Sequence, residues 1–436
     1  MIVTKFGGTS MADAGQFRKV RNIILDDPER RVVVVSAPGR RYKGDTKVTD
    51  LLYTLYMHLQ YSVPYEDIWQ MIAQKYTDIA RDLGLSDSIN VELEVIHSEL
   101  RRQIDQNYLI SRGEFLAARL MSEYLGFPFI DAQELIRFSY DGKVDQVITD
   151  EAIAHAAERM ERFVIPGFYG AYPNGDICLF SRGGSDITGA YLTRGLGAKI
   201  YENWTDVSGV LAADPRVVDN PRIISNITYA ELREMSYMGA NVLHEESVSP
   251  VADRNININI RNTNEPKEEG TLIQNECDGG PIITGITGMK DFVSFDITKE
   301  HLANEVGFVR KVLEIFERYK VNVEHLPTGI DTVSVIVSAS SVNHCMYDIV
   351  SGIERTLEAQ VSVRRDISLL AVVGRNMAGK VGVCSRLFSA LAGANISVKM
   401  IAQSPDETNI MIGLDNSDYE KATRALYSNF LDCGWL

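Results

Sequence analysis

The chain has 436 residues, 45% of them apolar, and 44 Lys and Arg against 59 Asp and Glu give a net charge of −15. That length holds two or three domains with real cores, and an acidic balance without a basic stripe excludes a nucleic-acid surface as the main function. Five scattered cysteines (Cys178, Cys277, Cys345, Cys384, Cys433) form no C-x-x-C pair, no apolar run reaches bilayer length, and the N-terminus is expected to run straight into structure without a signal peptide. The expectation is a reduced, cytoplasmic protein without membrane contact.

Ile2 and Val3 close a short buried strand that runs into Lys5-Phe6-Gly7-Gly8-Thr9-Ser10. Two glycines let the backbone turn sharply and bring its N–H groups close to an anion. Thr9 and Ser10 suit a helix N-cap, and Lys5 adds a positive charge at the same place. The Walker A spacing is absent, so this is a phosphate cradle of another kind. A helix over 13–26 presents Phe17, Val20, Ile23 and Ile24 on one face, and Val32–Ser36 reads as a strand buried on both faces. Strand, Gly-rich turn, helix and strand make a βαβ unit.

Residues 50–125 read as mostly helical. Strands return at 127–131, 163–168, 177–181 and 199–204, with helices around 150–161 and 186–196. The alternation Asn255-Ile256-Asn257-Ile258-Asn259-Ile260 reads as an edge strand. Polar, turn-rich sequence from Glu265-Pro266 to Gly280-Pro281 marks a domain boundary. The tail then gives βαββαβ over 291–364: strand 291–297, helix 305–319, strands 321–326 and 332–337, helix 344–357, strand 359–364. A second round has strand 367–374, helix 380–392, strands 395–402 and 408–414, and helix 417–430. It lacks its fourth strand, and the spare strand at 282–287 is expected to supply it, so the first unit lies inserted in the second.

Four segments near strand ends carry the candidate chemistry: Lys5–Ser10, Ser111-Arg112-Gly113-Glu114 opening a helix, Ser181-Arg182-Gly183-Gly184-Ser185-Asp186, and Trp204–Val210 followed by Asp214-Pro215-Arg216. Two strand–Gly-Gly–helix turns supply two sets of backbone donors. Arg182 can grip a carboxylate bidentately and Glu114 can hold an ammonium, which together fix a zwitterion. Taken singly, Glu114 and Asp186 could be helix first-turn acids, and Asp206 and Asp214 could be Asx-turn formers.

In that order the segments resemble the aspartate kinase family from end to end. K-F-G-G-T-S with R-G-G-S-D (Arg182–Asp186) is the specific pair, and Thr49-Asp50-Leu51-Leu52 and Gly239-Ala240-Asn241-Val242-Leu243-His244 also fit. The resemblance implies an α/β protein: an amino-acid kinase fold (α/β/α sandwich) over 1–280, then two ferredoxin-like ACT modules over 281–436. The first module would span 290–365, and the second would combine 281–289 with 366–436. It implies transfer of phosphate from ATP to the β-carboxylate of aspartate, the first step toward lysine, threonine and methionine, with Mg²⁺ bound to the ATP and no separate metal site. Lys5, Gly7 and Gly8 would face the ATP phosphates, with Lys5, Gly8 and Asp186 at the reacting centre. Ser10, Thr49, Glu114, Phe168, Arg182, Gly183, Gly184 and Ser185 would surround aspartate. Thr205, Asp206, Leu211, Arg216 and Asn241 would lie on the nucleotide side. Leu211 stands where some relatives carry an aromatic residue, and Asn241 where a lysine is usual.

The first ACT module resembles that of lysine-inhibited, single-function members. Gly307, Phe308, Val309 and Glu324 are the implied effector contacts, although Phe308 and Val309 also read as plain core. Glu324 stands where aspartate is usual and Glu305 where serine is common. The effector could be lysine, threonine, both or neither, and the assembly a homodimer or homotetramer. Glutamate kinase and a catalytically silent amino-acid sensor are the rival functions.

Overall fold

Strand Ile2–Phe6 lies in the interior of a seven-stranded sheet, with every residue buried and a partner strand on each side. The computed structural model of the protein describes residues 1–181, 183–240, 243 and 245–432, which form two compact units. The first comprises Met1–Val210, Ile223–Leu232 and Asn241–Cys277. Its sheet runs in the order Phe163–Pro166, Arg30–Val35, Ile2–Phe6, Ile200–Thr205, Asn257–Asn262, Thr271–Gln274, Asn226–Thr228.

The first five strands of that order are parallel, and their register positions the site. Phe6 pairs with Val35 and Trp204, and Val35 with Pro166, so these strands end level with one another. Gly7, Ser36 and Gly167 therefore leave the sheet at one carboxyl edge, where ligands of open α/β sheets bind. The Ala14–Asp26 helix buries Phe17, Val20, Ile23 and Ile24, and its N-cap is Asp13, which accepts from the Gln16 N–H at 3.0 Å. Thr9 and Ser10 do not cap it: Gly8–Met11 is a separate 3₁₀ turn. Four helices fill 48–125: Val48–Gln60, Glu66–Leu83, Ser88–Glu99 and Gln106–Leu125.

Three elements differ from the sequence reading. The Asn/Ile alternation is an interior strand between Ile200–Thr205 and Thr271–Gln274, not an edge; buried and partly exposed residues alternate along it. Residues 127–131 contribute a single bridge, Phe129 to Val164. Ile177–Leu179 pairs with Tyr169–Ala171 in a separate hairpin.

The second unit comprises Leu211–Arg222, Arg233–Ala240 and Asp278–Leu436. Its five-stranded sheet runs Thr332–Ser338, Gly285–Thr298, Gln360–Val373, Asn409–Asp415, Met400–Gln403. The two long strands each run through both of the expected ACT modules. Gly285–Met289 pairs with Leu369–Val373, as the spare strand was expected to do, while 292–298 pairs with 332–338 and 360–367. The handover is marked by a register shift and by left-handed Asp291 (φ 67°) and Asp366 (φ 58°). The 321–326 segment is not a full strand; in this stretch His325 bridges Ile336 and Thr328 bridges Val333. In the first module the Phe308–Arg318 and Met346–Leu357 helices pack on the sheet through Phe295, Phe316 and Ile349, with Phe295 and Phe316 edge-on at 5.3 Å.

Candidate active site

The carboxyl edge of the first sheet encloses a cavity of about 430 Å³. Gly7, Gly8 and Thr9 form one wall and Ser36–Gly39 the next. The two turns interlock: the Gly39 N–H donates to the Gly8 carbonyl at 2.7 Å, and a Cβ on Gly39 would stand 2.7 Å from the Gly8 carbonyl carbon. Only glycine lets these backbones approach so closely. Gly39 was absent from the sequence-based site; its signal was the Pro38-Gly39 turn dipeptide just after a buried strand.

Gly183, Gly184 and Ser185 form a third wall at the N-terminus of the Gly184–Gly195 helix. Such an end presents unpaired N–H groups and a positive dipole to an anion. Gly184 is also sterically required, because its Cβ would stand 2.6 Å from the Phe168 ring. Phe168 itself is held at φ 79°, unusual for a bulky residue, by a hydrogen bond from its N–H to Thr188 Oγ1 at 3.1 Å.

Between these walls Lys5 Nζ lies 2.6 Å from Asp186 Oδ1, with both side chains largely buried. Asn203 Nδ2 donates to the same Oδ1 at 2.8 Å, and Lys5 Nζ reaches Asn203 Oδ1 at 3.5 Å. The three side chains fix the ammonium beside the glycine turn. Asn203 was missed from sequence, although a polar residue in an otherwise buried strand was the available signal.

Glu114 forms the opposite chemistry. It lies in the third turn of the Gln106–Leu125 helix, which starts at the Asp105 cap, so it does not complement a helix N-terminus as a first-turn acid would. The side chain is 5% exposed and lines the cavity, and its Oε2 has no hydrogen-bond partner among the described residues. Burial pushes its carboxyl up to about 8, against backbone hydrogen bonds from Ala37 and from Glu114 itself, which act the other way. A buried acceptor left unpaired is costly unless a ligand donor fills it. The neighbouring Gly113 lets the helix approach: a Cβ there would lie 3.0 Å from Ala37 Cβ. Arg112 is structural, packed on the rings of Tyr108 and Phe115 at 4.5 and 4.4 Å.

Thr49 and Thr205 also line the cavity, as does Lys47, a second lysine that the sequence reading passed over. Asp206 is exposed and accepts from Thr205 Oγ1 at 3.2 Å. Ser10 is not on the wall; its hydroxyl is 2.8 Å from Thr263 Oγ1 in a buried pair. Leu211 and Arg216 belong to the second unit, where the exposed Arg216 guanidinium lies 2.7 Å from Asp214. Arg182 and Asn241 lie outside the described residues.

The residues expected to contact an effector are in the second unit. Gly307 caps the Phe308–Arg318 helix with φ 79°. Phe308 is 1% exposed and packs in the module core, so the plain core reading holds for its ring. Glu305 is held by Lys299 and Lys311 at 2.7 and 2.8 Å. Glu324 accepts a hydrogen bond from the Tyr237 hydroxyl.

Among the described residues no helix is long and apolar enough to cross a membrane, and no three His, Cys, Asp or Glu side chains converge as a metal site. Residues 1–262 match the amino acid kinase family and residues 370–430 an ACT domain. Aspartokinase 3 of Bacillus subtilis is 35% identical, with 99% of this chain and 98% of that one covered. The crystal structure of Clostridium acetobutylicum aspartate kinase is 42% identical and superposes with a TM-score of 0.93, covering 99% of this chain and 100% of that one. Escherichia coli aspartokinase III has been solved with aspartate and ADP in an R-state (26% identical, TM-score 0.77, 98% and 99% covered). It has also been solved with lysine and aspartate in a T-state (25%, 0.78, 99% of both chains).

Proposed function

This chain belongs to the amino acid kinase family, among its aspartokinases, and we propose that it transfers the γ-phosphoryl group of ATP to the β-carboxylate of L-aspartate. The product is 4-phospho-L-aspartate, and the ACT modules place the reaction under feedback from an amino acid. The observation that carries the reading is the pairing of a two-turn anion cradle around Lys5 with the buried Glu114 carboxyl group, whose Oε2 has no partner among the described residues, on the wall of one cavity.

The chemistry follows from these groups. A substrate carboxylate oxygen is already a nucleophile, so no general base is required. It attacks the γ-phosphorus while the bond to the β,γ-bridging oxygen breaks and ADP leaves. Lys5, the N–H groups of Gly8 and Thr9, and the N-terminus of the Gly184–Gly195 helix stabilise charge on the transferring group. Asp186 and Asn203 hold the Lys5 ammonium where that charge develops. Glu114 takes the substrate ammonium, Arg182 its α-carboxylate, and Thr49, Phe168 and Ser185 complete the amino-acid end. Thr205, Asp206 and Asn241 are assigned to the nucleotide side. Mg²⁺ would travel on the ATP phosphates and neutralise their charge there.

The working form is a cytoplasmic homodimer or homotetramer joined through its ACT modules, and lysine is the favoured effector. The E. coli relative solved with lysine supports that choice. An acyl phosphate reacts with hydroxylamine, so hydroxamate formation from ATP with aspartate, glutamate or no acceptor tests the reaction. Hydroxamate with aspartate alone is expected. Equal product from glutamate, or ATP use independent of acceptor, would sink the assignment. A thermal-shift comparison of lysine and threonine tests the effector.

A further inference from the structure

Residues 233–240 pack in the second unit, although the match to the amino acid kinase family runs through them. Three hydrogen bonds tie this short stretch to two strands and to the 321–326 segment. Tyr237 donates to Glu324 in the first module. Asn409 Nδ2, on a strand of the second module, donates to Glu234 at 2.5 Å. Thr287 Oγ1 donates to the Met238 carbonyl at 2.8 Å.

The ties are not equivalent. Asn409 and Thr287 are each 7% exposed, so those two bonds are sealed into the fold. Tyr237 is 59% exposed, and its hydroxyl rather than its ring holds the third tie. Burial and the neighbouring Glu324 carboxylate push the phenol up to about 12, so it is a neutral donor at physiological pH. An ammonium is the stronger donor to a carboxylate, because the bond is charge-assisted on both sides.

We propose that Tyr237 is an internal competitor for the effector: it occupies Glu324 when no amino acid is bound, and an effector ammonium that takes Glu324 releases it. The released hydroxyl frees the end of the Tyr229–Tyr237 helix just before left-handed Gly239 (φ 98°). Beyond Gly239 the sequence continues to Asn241, the residue assigned above to the nucleotide side. Effector binding is thereby passed along the backbone, without a separate relay. The proposal rests on the regulatory reading above, in which Glu324 receives the effector cation.

A ligand that must break an internal bond before binding has its apparent affinity reduced by that bond. Removing the Tyr237 hydroxyl should therefore tighten effector binding and at the same time weaken its effect. The test is calorimetric titration of lysine into full-length wild type and Tyr237→Phe, with inhibition curves on both. Expected is a Kd lower by about fivefold or more in the variant, the scale of one hydrogen bond to a charged group, with shallower inhibition at saturation. A merely structural Tyr237 would not move the two readouts in opposite directions. Wild type that binds lysine with the same Kd and depth of inhibition as Tyr237→Phe overturns this proposal alone. Wild type that binds none of the twenty amino acids removes the regulatory reading and this proposal with it.

Discussion

Glu202 and Asn203 are neighbours on one strand and serve opposite faces of the sheet. Asn203 donates to Asp186 at 2.8 Å beside Lys5. Glu202 is 4% exposed and accepts from Arg30 Nε at 2.8 Å and Trp204 Nε1 at 2.9 Å, with Arg261 at 3.5 Å. Strand alternation thus separates a charged group used for chemistry from one used for stability.

Arg30→Met tests the stability half. It leaves the buried Glu202 with its weaker partners, and breaking a buried pair costs about 3–5 kcal/mol. Arg261 and the indole N–H place this case at the low end. Urea unfolding should show the loss while KM for aspartate and ATP stays near wild type. A large KM change with unchanged stability would mean that this network reaches the site.

Lys5→Ala tests the chemical half. Losing one preorganised donor to the transferring phosphoryl group costs about 10²–10³ in kcat. Circular dichroism should report a folded protein, since Asp186 keeps Asn203 and partial solvent contact. A folded variant with near-normal kcat would contradict the cradle.

Gly39→Ala addresses the interlocked turns. The new methyl would press on the Gly8 carbonyl carbon at 2.7 Å, backbone against backbone, with no flexible side chain to yield. Overpacking of this kind costs about 1–3 kcal/mol. If the displacement falls on the Gly8 turn, KM for ATP rises by about tenfold or more, and KM for aspartate changes less. Steady-state kinetics with each substrate varied in turn decides it.

Much of this was legible because local rules and tertiary structure agree. Val32–Val35 could only be a strand covered on both faces, and strand–Gly-Gly–helix could only place amides at a strand end. The missing fourth strand of the tail was countable because each module needs an even sheet. The failures have physical causes. Alternation along Asn255–Ile260 reports one partly wet face, which this interior strand shares with an edge strand. The Ser111–Glu114 segment looked like a helix start because Ser-x-Gly-Glu mimics a cap, whereas Gly113 is there to let the helix pass Ala37. Gly39, Lys47 and Asn203 entered the site through pairings between segments, which no local pattern encodes.

Glu114 gives the sharpest pH dependence. In the free protein burial raises its carboxyl from the ordinary 4.5 to about 8. Between those values the folded state binds more protons than the unfolded state. The stability from this group is complete below about 4.5 and is lost as pH rises through about 8. An ammonium ligand reverses the preference, because it favours the charged carboxylate. Aspartate binding must then release a proton in this window, and its Kd should fall as pH rises from 6 toward 8, approaching about tenfold per unit before levelling. Glu114→Gln fixes the neutral form, so it should abolish that slope and bind aspartate weakly at every pH. It should also gain thermal stability relative to wild type as pH rises from 5 to 9. Titrations in buffers of different ionisation enthalpy count the released proton directly. A flat Kd in wild type, with no proton released, would mean that Glu114 does not meet the substrate ammonium.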